Sequence, residues 1–185
     1  MQQHILRDGQ LLILREAMPD DAERLLAYIE QIAGESDNIT RGPGEFAMTV
    51  EQEREFLQAS AASLTSLYLV AEIKGEIAGA LSFRGGDRPR LRHAGEFGIS
   101  VLKKYWNLGI GRHLLAYLID WAKGTRVIRK IDLLVRTDNY PAIHLYEKFG
   151  FVREGRITRH MYIHGEFIDC YAMGLAIDPP ASQAR

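Results

Sequence analysis

Apolar and polar positions follow two rhythms along this 185-residue chain. Alternation at period two predicts strands over residues 11–15, 67–73, 77–83, 96–101, 151–163 and 167–177. The more continuously apolar Ile131-Asp132-Leu133-Leu134-Val135 predicts a strand buried on both sheet faces. Helical spacing takes over between these runs. Pro19-Asp20-Asp21 opens a helix whose Ala22, Leu25, Leu26 and Ile29 face inward, and Thr49 with Gln52 forms a capping box for a second helix reaching Leu57. Leu114, Leu115, Leu118, Trp121 and Ala122 trace the stripe of a third. Ala142, Leu145, Tyr146 and Phe149 trace a fourth, which Gly150 ends. Lys74-Gly75-Glu76 and His164-Gly165-Glu166 read as hairpin turns, and the polar, glycine-rich residues 34–46 as a loop. The order of elements is strand, two helices, three strands, helix, strand, helix, two strands. It predicts one α/β (α+β) domain over residues 1–177, followed by a disordered tail at 178–185.

Two segments carry candidate chemistry. In the first, a strand ends at Ser100-Val101-Leu102 and a helix starts after Asn107-Leu108-Gly109-Ile110-Gly111-Arg112. Glycines at 109 and 111 remove Cβ atoms that would hold a ligand off the main chain. The helix start adds unpaired N–H groups and the positive end of a macrodipole, a combination suited to pyrophosphate. A nucleotide P-loop and a dinucleotide fingerprint both require other spacings, and residue 114 is Leu where the latter needs its third glycine. In the second segment, Asp138-Asn139 signals a turn and cap, Pro141 fits a first helical turn, and Asn139 and Tyr146 lie two turns apart on about the same side. Taken alone, the Asn is an ordinary cap and the Tyr an ordinary core residue. Their order behind the Gly-x-Gly turn gives them another meaning.

Both segments resemble the GNAT superfamily of N-acetyltransferases. Residues 106–111 match its coenzyme A loop, Arg/Gln-x-x-Gly-x-Gly/Ala, except that Trp106 stands at the Arg/Gln position. Residues 139–151 match Asn-x-x-Ala-x-x-x-Tyr-x-x-x-Gly-Phe. The element order is also that of the family, so the resemblance spans nearly the whole chain. It implies a central mixed, twisted sheet of about seven strands flanked by about four helices. It also implies acetyl-CoA as cosubstrate, with no metal. Coenzyme contacts are then expected from Ser100, Val101, Leu102, Asn107, Leu108, Gly109, Ile110, Gly111, Arg112, Asn139, Ala142 and Tyr146.

The chemistry implied is acyl transfer from a thioester to an amine. An alkylammonium has a pKa of about 10 and must lose a proton before it attacks. By the resemblance, Glu96 on the strand entering the loop is the candidate base, the main-chain N–H of Val101 polarises the thioester carbonyl, and Tyr146 protonates the departing thiolate. Glu96 reads equally as a solvated strand carboxylate. Direct attack in a ternary complex is favoured over an acyl-enzyme, because the single cysteine, Cys170, sits in an alternating strand as a buried thiol. The final hairpin is similar to that of polyamine, amino-acid and ribosomal-protein N-terminal acetyltransferases. A small amine or amino acid is therefore the expected acceptor, a protein N-terminus the alternative, and a non-catalytic acyl-CoA sensor the reading from another class.

Composition narrows the partners. A net charge of −1 favours neither nucleic acid nor an acidic membrane, no apolar run spans a bilayer, and the N-terminus lacks the apolar region of a signal peptide. A cytoplasmic enzyme follows, with a homodimer left open. Lesser candidates are His160 with His164 for zinc, Arg84 to His93 as a basic hairpin, and Glu35, Asp37 and Glu45 as attractors of a cationic amine. Arg126, Arg129 and Lys130 are further candidates, for the coenzyme's ribose phosphate.

Overall fold

In a computed structural model, which describes residues 1–177, the strands assemble into one eight-stranded sheet. In chain order the elements are β1 (Gln2–Ile5), β2 (Leu11–Glu16), α1 (Ala22–Glu35), α2 (Val50–Ala61), β3 (Ser66–Ile73), β4 (Glu76–Gly85), β5 (Ala94–Val101), α3 (Ile110–Thr125), β6 (Lys130–Arg136), α4 (Tyr140–Lys148), β7 (Val152–Ile163) and β8 (Glu166–Ala176). Across the sheet the strands run β1-β2-β3-β4-β5-β6-β8-β7, all antiparallel except the parallel pair β5–β6. The sheet is therefore mixed, and it has one strand more than the sequence pattern predicts. The extra strand is β1. Its Gln2-Gln3-His4-Ile5 pairs with β2 at an exposed edge and lacks the alternation that marks a half-buried strand. The Asp8-Gly9 turn, with Gly9 at φ +83°, was its one local signal.

Two cores lie on opposite faces of the sheet. On one face α3 and α4 pack Leu114, Leu115, Leu118 and Ile143 against Leu69, Leu81, Phe97 and Leu133. On the other, α1 and α2 pack Leu25, Tyr28, Ile32 and Leu57 against Val70, Ala80 and Leu102. The capping box at Thr49 forms as expected, with Gln52 N donating to Thr49 Oγ1 and Thr49 N to Gln52 Oε1. Lys74 and Gly75 adopt φ +50° and +81°, the pair of left-handed residues that a two-residue hairpin needs.

β6 departs from expectation. Ile131, Leu133 and Val135 are buried, but Lys130, Asp132, Leu134 and Arg136 are only half-buried. Helices cover just one face of this strand, and its other face floors an open cleft. Residues 178–185, where a tail was expected, lie outside the described residues.

Candidate active site

The site grows from a split in the sheet. β5 and β6 pair only at Ala94↔Lys130, Gly95↔Ile131 and Glu96↔Asp132 and then diverge. Phe97, the next residue, packs edge-on against the ring of Tyr146 (5.8 Å, 84°), and Phe151 closes the cluster at 5.9 Å from both. Beyond that point one edge of β5 faces open space. Leu102 N donates to Ala78 O on the β4 side, so antiparallel alternation turns the N–H groups of Ile99 and Val101 towards the gap. Val101 thus offers a donor at the gap. Its carbonyl is occupied by the indole N–H of Trp106 at 2.7 Å.

The start of α3 borders the same cleft. Gly109 is its cap residue at φ +95°, a conformation that strains any residue with a Cβ, and no side chain caps the helix. The N–H groups of Ile110, Gly111 and Arg112 are therefore free of side-chain caps, at the positive end of a four-turn helix. Asn107, at φ +63°, makes the turn that leads into them. These donors, on a main chain without Cβ atoms at 109 and 111, fit a pyrophosphate. The cleft holds about 2410 Å³, room for a large cosubstrate and an acceptor together.

Tyr146 is 6% exposed and lines the cleft, and burial pushes its phenol pKa well up. It is a neutral proton carrier across the physiological range. Asn139 accepts from Ala142 N at 3.3 Å as the cap of α4, so its ordinary structural role is realised. Both Asn139 and Ala142 also line the cleft.

Glu96 is solvent-exposed at the cleft floor, yet its pKa is raised, first by partial burial among the surrounding strands and then by the Asp132 carboxylate across the ladder, with His160 opposing. Lys130 is engaged by Asp132 (2.9 Å) and Glu154 (2.7 Å). His160 arrives through a bulge in β7, where Ile157 pairs with Cys170 and Met161 with Ile168, leaving residues 158–160 looped out.

Several expected residues have their side chains engaged by the protein itself. Leu102 is 1% exposed inside the α1–α2 core with its N–H engaged, so it does not face the cleft. Ser100 lines the cleft on its α1 side, where its hydroxyl pairs with that of Tyr28 at 2.8 Å. Leu108 packs on the larger core, while Ile110 is buried and presents only its main chain. Arg126 caps the far end of α3, roughly 24 Å from its start, and Arg129 and Lys130 lie beyond it, where the chain enters β6. Glu35 accepts from Lys103 N (2.7 Å), tying the end of α1 to the segment after β5, and Glu45 accepts from Gly42 N (2.8 Å) within its own loop. Among the described residues no three His, Cys, Asp or Glu side chains gather as a metal site, and His164 lies instead 3.4 Å from Asp37. Cys170 is 2% exposed, and burial pushes its thiol pKa up, which suits it poorly as a nucleophile.

Among the cleft residues that the sequence pattern did not single out are Tyr28, Tyr68 and Glu53. Glu53 had a signal, since it shares the inner face of α2 with Leu57 and Ser60.

Residues 36–151 match the acetyltransferase (GNAT) family. An L-amino acid N-acetyltransferase of Escherichia coli is 36% identical over 105 residues, which are 57% of this chain and 65% of that protein. The match thus spans just under two thirds of that relative. An N-alpha-acetyltransferase of Sulfolobus acidocaldarius is 35% identical over 132 residues, 67% of this chain and 72% of that one. The crystal structure of a GNAT-family acetyltransferase from Streptococcus pneumoniae superposes with a TM-score of 0.88 at 39% identity, covering 90% of this chain and 99% of that one. A Salmonella typhimurium structure holding its cofactor acetyl-CoA shares the fold, with a TM-score of 0.79 at 21% identity over 94% and 98% of the two chains. Among the described residues no helix is long and apolar enough to cross a membrane.

Proposed function

The chain belongs to the GNAT acetyltransferase family, whose acyl donor is acetyl-CoA, and on that premise we propose that it transfers an acetyl group to a primary amine of a small molecule or amino acid by direct attack in a ternary complex. One observation carries the reading: the strand split brings the free N–H of Val101, the hydroxyl of Tyr146 and the uncapped start of α3 onto a single cleft.

Acetyl-CoA, when bound, supplies an acetyl group activated as a thioester. The N–H groups of Ile110, Gly111 and Arg112 hold its pyrophosphate, and Asn107, Gly109, Asn139 and Ala142 shape the path of its arm. The N–H of Val101 donates to the carbonyl oxygen as negative charge develops there. Glu96 accepts a proton from the acceptor ammonium, directly or through water, and its raised pKa brings it closer to the working pH than an ordinary carboxylate. Tyr146 Oη holds the proton that the leaving sulfur takes.

A protein N-terminus is the second acceptor class, supported by the likeness to N-alpha-acetyltransferases and by the open α1–α2 side of the cleft. The deciding experiment follows thiol release from acetyl-CoA against amino acids, alkylamines, diamines and N-terminal peptides, with mass spectrometry of the products. Acceptor-dependent release with one acetyl gained supports transfer and names the class. Coenzyme binding without release to any amine would instead favour an acyl-CoA sensor.

A further inference from the structure

Glu53 is placed where a carboxylate is costly. It is 1% exposed on the inner face of α2, and its Oε1 has no hydrogen-bond partner among the described residues. Burial pushes its pKa up, and the Arg41 guanidinium pulls the other way. Arg41 itself lies over the Phe46 ring at 4.8 Å. A buried carboxylate without a full partner weakens a fold, so its presence beside Leu57 on the inner face of α2 points to a task other than stability.

The surroundings indicate that task. Glu53 lines the cleft with Phe56 and Tyr68, and lies close enough that its charge adds to burial, the larger cause, in raising the phenol pKa of Tyr68. Tyr68 pairs with Ser82, and Ser82 with Gly98, so one cross-strand row runs from beneath Glu53 to the open edge of β5. A hydroxymethyl at 82 and no side chain at 98 leave this row a shallow trough. Its length is two strand spacings, roughly 10 Å. That separation puts Glu53 outside hydrogen-bond reach of an amine reacting at the β5 edge, so it is not the base. It suits the other end of the same molecule, and the rings of Tyr68 and Phe56 offer π faces to a cation there.

We propose that Glu53 binds a second cationic group of the acceptor, making the preferred substrates amines that carry another ammonium or guanidinium about two strand widths from the nitrogen that is acetylated. The proposal rests on the acetyl-transfer reading above and gives it a substrate class.

The test compares diaminoalkanes of four, six and eight carbons with n-alkylamines of equal length, using wild-type protein, Glu53→Gln and Glu53→Met. The wild type should favour the longer diamines over matched monoamines at least tenfold in kcat/KM. Both variants should lose that preference while keeping monoamine turnover and acetyl-CoA affinity. 1,8-Diaminooctane should raise the melting temperature of the wild type and not that of Glu53→Gln, which alone should melt no lower than the wild type. Acetylation without a diamine preference, an equal fall for both amine series, or variants that melt lower with all activity lost would each overturn the assignment to Glu53. Acetyl-CoA binding with no amine acetylated at all would overturn the transfer reading itself, and this one with it.

Discussion

The indole N–H of Trp106 donates to the carbonyl of Val101 at 2.7 Å, tying the glycine loop to the strand edge that it follows. Strand and loop both contribute main-chain donors to the cleft, so this bond sets one donor set against the other. It also gives a purpose to the residue at which the loop departs from the family pattern. Trp106→Phe keeps the ring and deletes the donor. Losing one hydrogen bond of about 1 kcal/mol should weaken acetyl-CoA binding roughly fivefold, read by calorimetry. Unchanged affinity would show that the loop holds its shape without the bond.

Tyr146 is buried beside Phe97 and Phe151, and burial keeps its phenol protonated across the accessible pH range. Tyr146→Phe should cut kcat by about 10²-fold, at the low end for a lost general acid, and leave the acetyl-CoA Kd unchanged. The alkaline side of the wild-type profile should show no ionisation belonging to this group. Full turnover in the variant would remove Tyr146 from the mechanism.

Glu96 must be deprotonated to act as a base, so activity should fall as pH drops through its pKa. Partial burial, and after it the Asp132 carboxylate, raise that pKa, which places the acid limb of kcat/KM above the usual carboxylate range. Asp132→Asn removes one raising charge and should move the limb to lower pH. A limb that stays in place, together with normal turnover by Glu96→Gln, would assign the proton to another acceptor.

Asp21 anchors the start of α1 by accepting from both guanidinium nitrogens of Arg15 (2.6 and 2.7 Å) and from Met18 N (2.8 Å). Burial pushes its pKa up, but the Arg15 guanidinium and the Met18 N–H outweigh it, and the net shift is downward. A depressed folded-state pKa contributes stability that is fully present above the unfolded value of about 3.9 and is lost as pH falls through the folded value. Asp21→Asn should therefore cost about 3 kcal/mol in urea unfolding at neutral pH, and its deficit should shrink in acid. A constant deficit down to low pH would mean that the charge is not what matters.

Much of this was legible in the chain. The stripes of α1, α3 and α4, the capping box at Thr49, the hairpin at Lys74-Gly75 and the glycine turn before α3 are local patterns. A helix or turn must satisfy its own sterics and hydrogen bonds within a few residues, and such requirements appear as spacing and residue type. β1 escaped because an exposed edge strand buries neither face and so needs no apolar alternation.

The site was legible as a set of residues and not as a surface. Sequence alone determined the donor-rich loop at Gly109 to Arg112, the Tyr146 of the motif that follows it, and the family that the two together imply. Tertiary structure decided that β5 and β6 part after Glu96, that Leu102 turns into the α1 core while Val101 keeps its donor at the gap, and that Glu53 reaches a trough floored by Ser82 and Gly98. Those outcomes depend on strand register and on contacts between segments far apart in the chain. No local spacing encodes which edge of a strand is left unpaired, because that is set by what the neighbouring strand does.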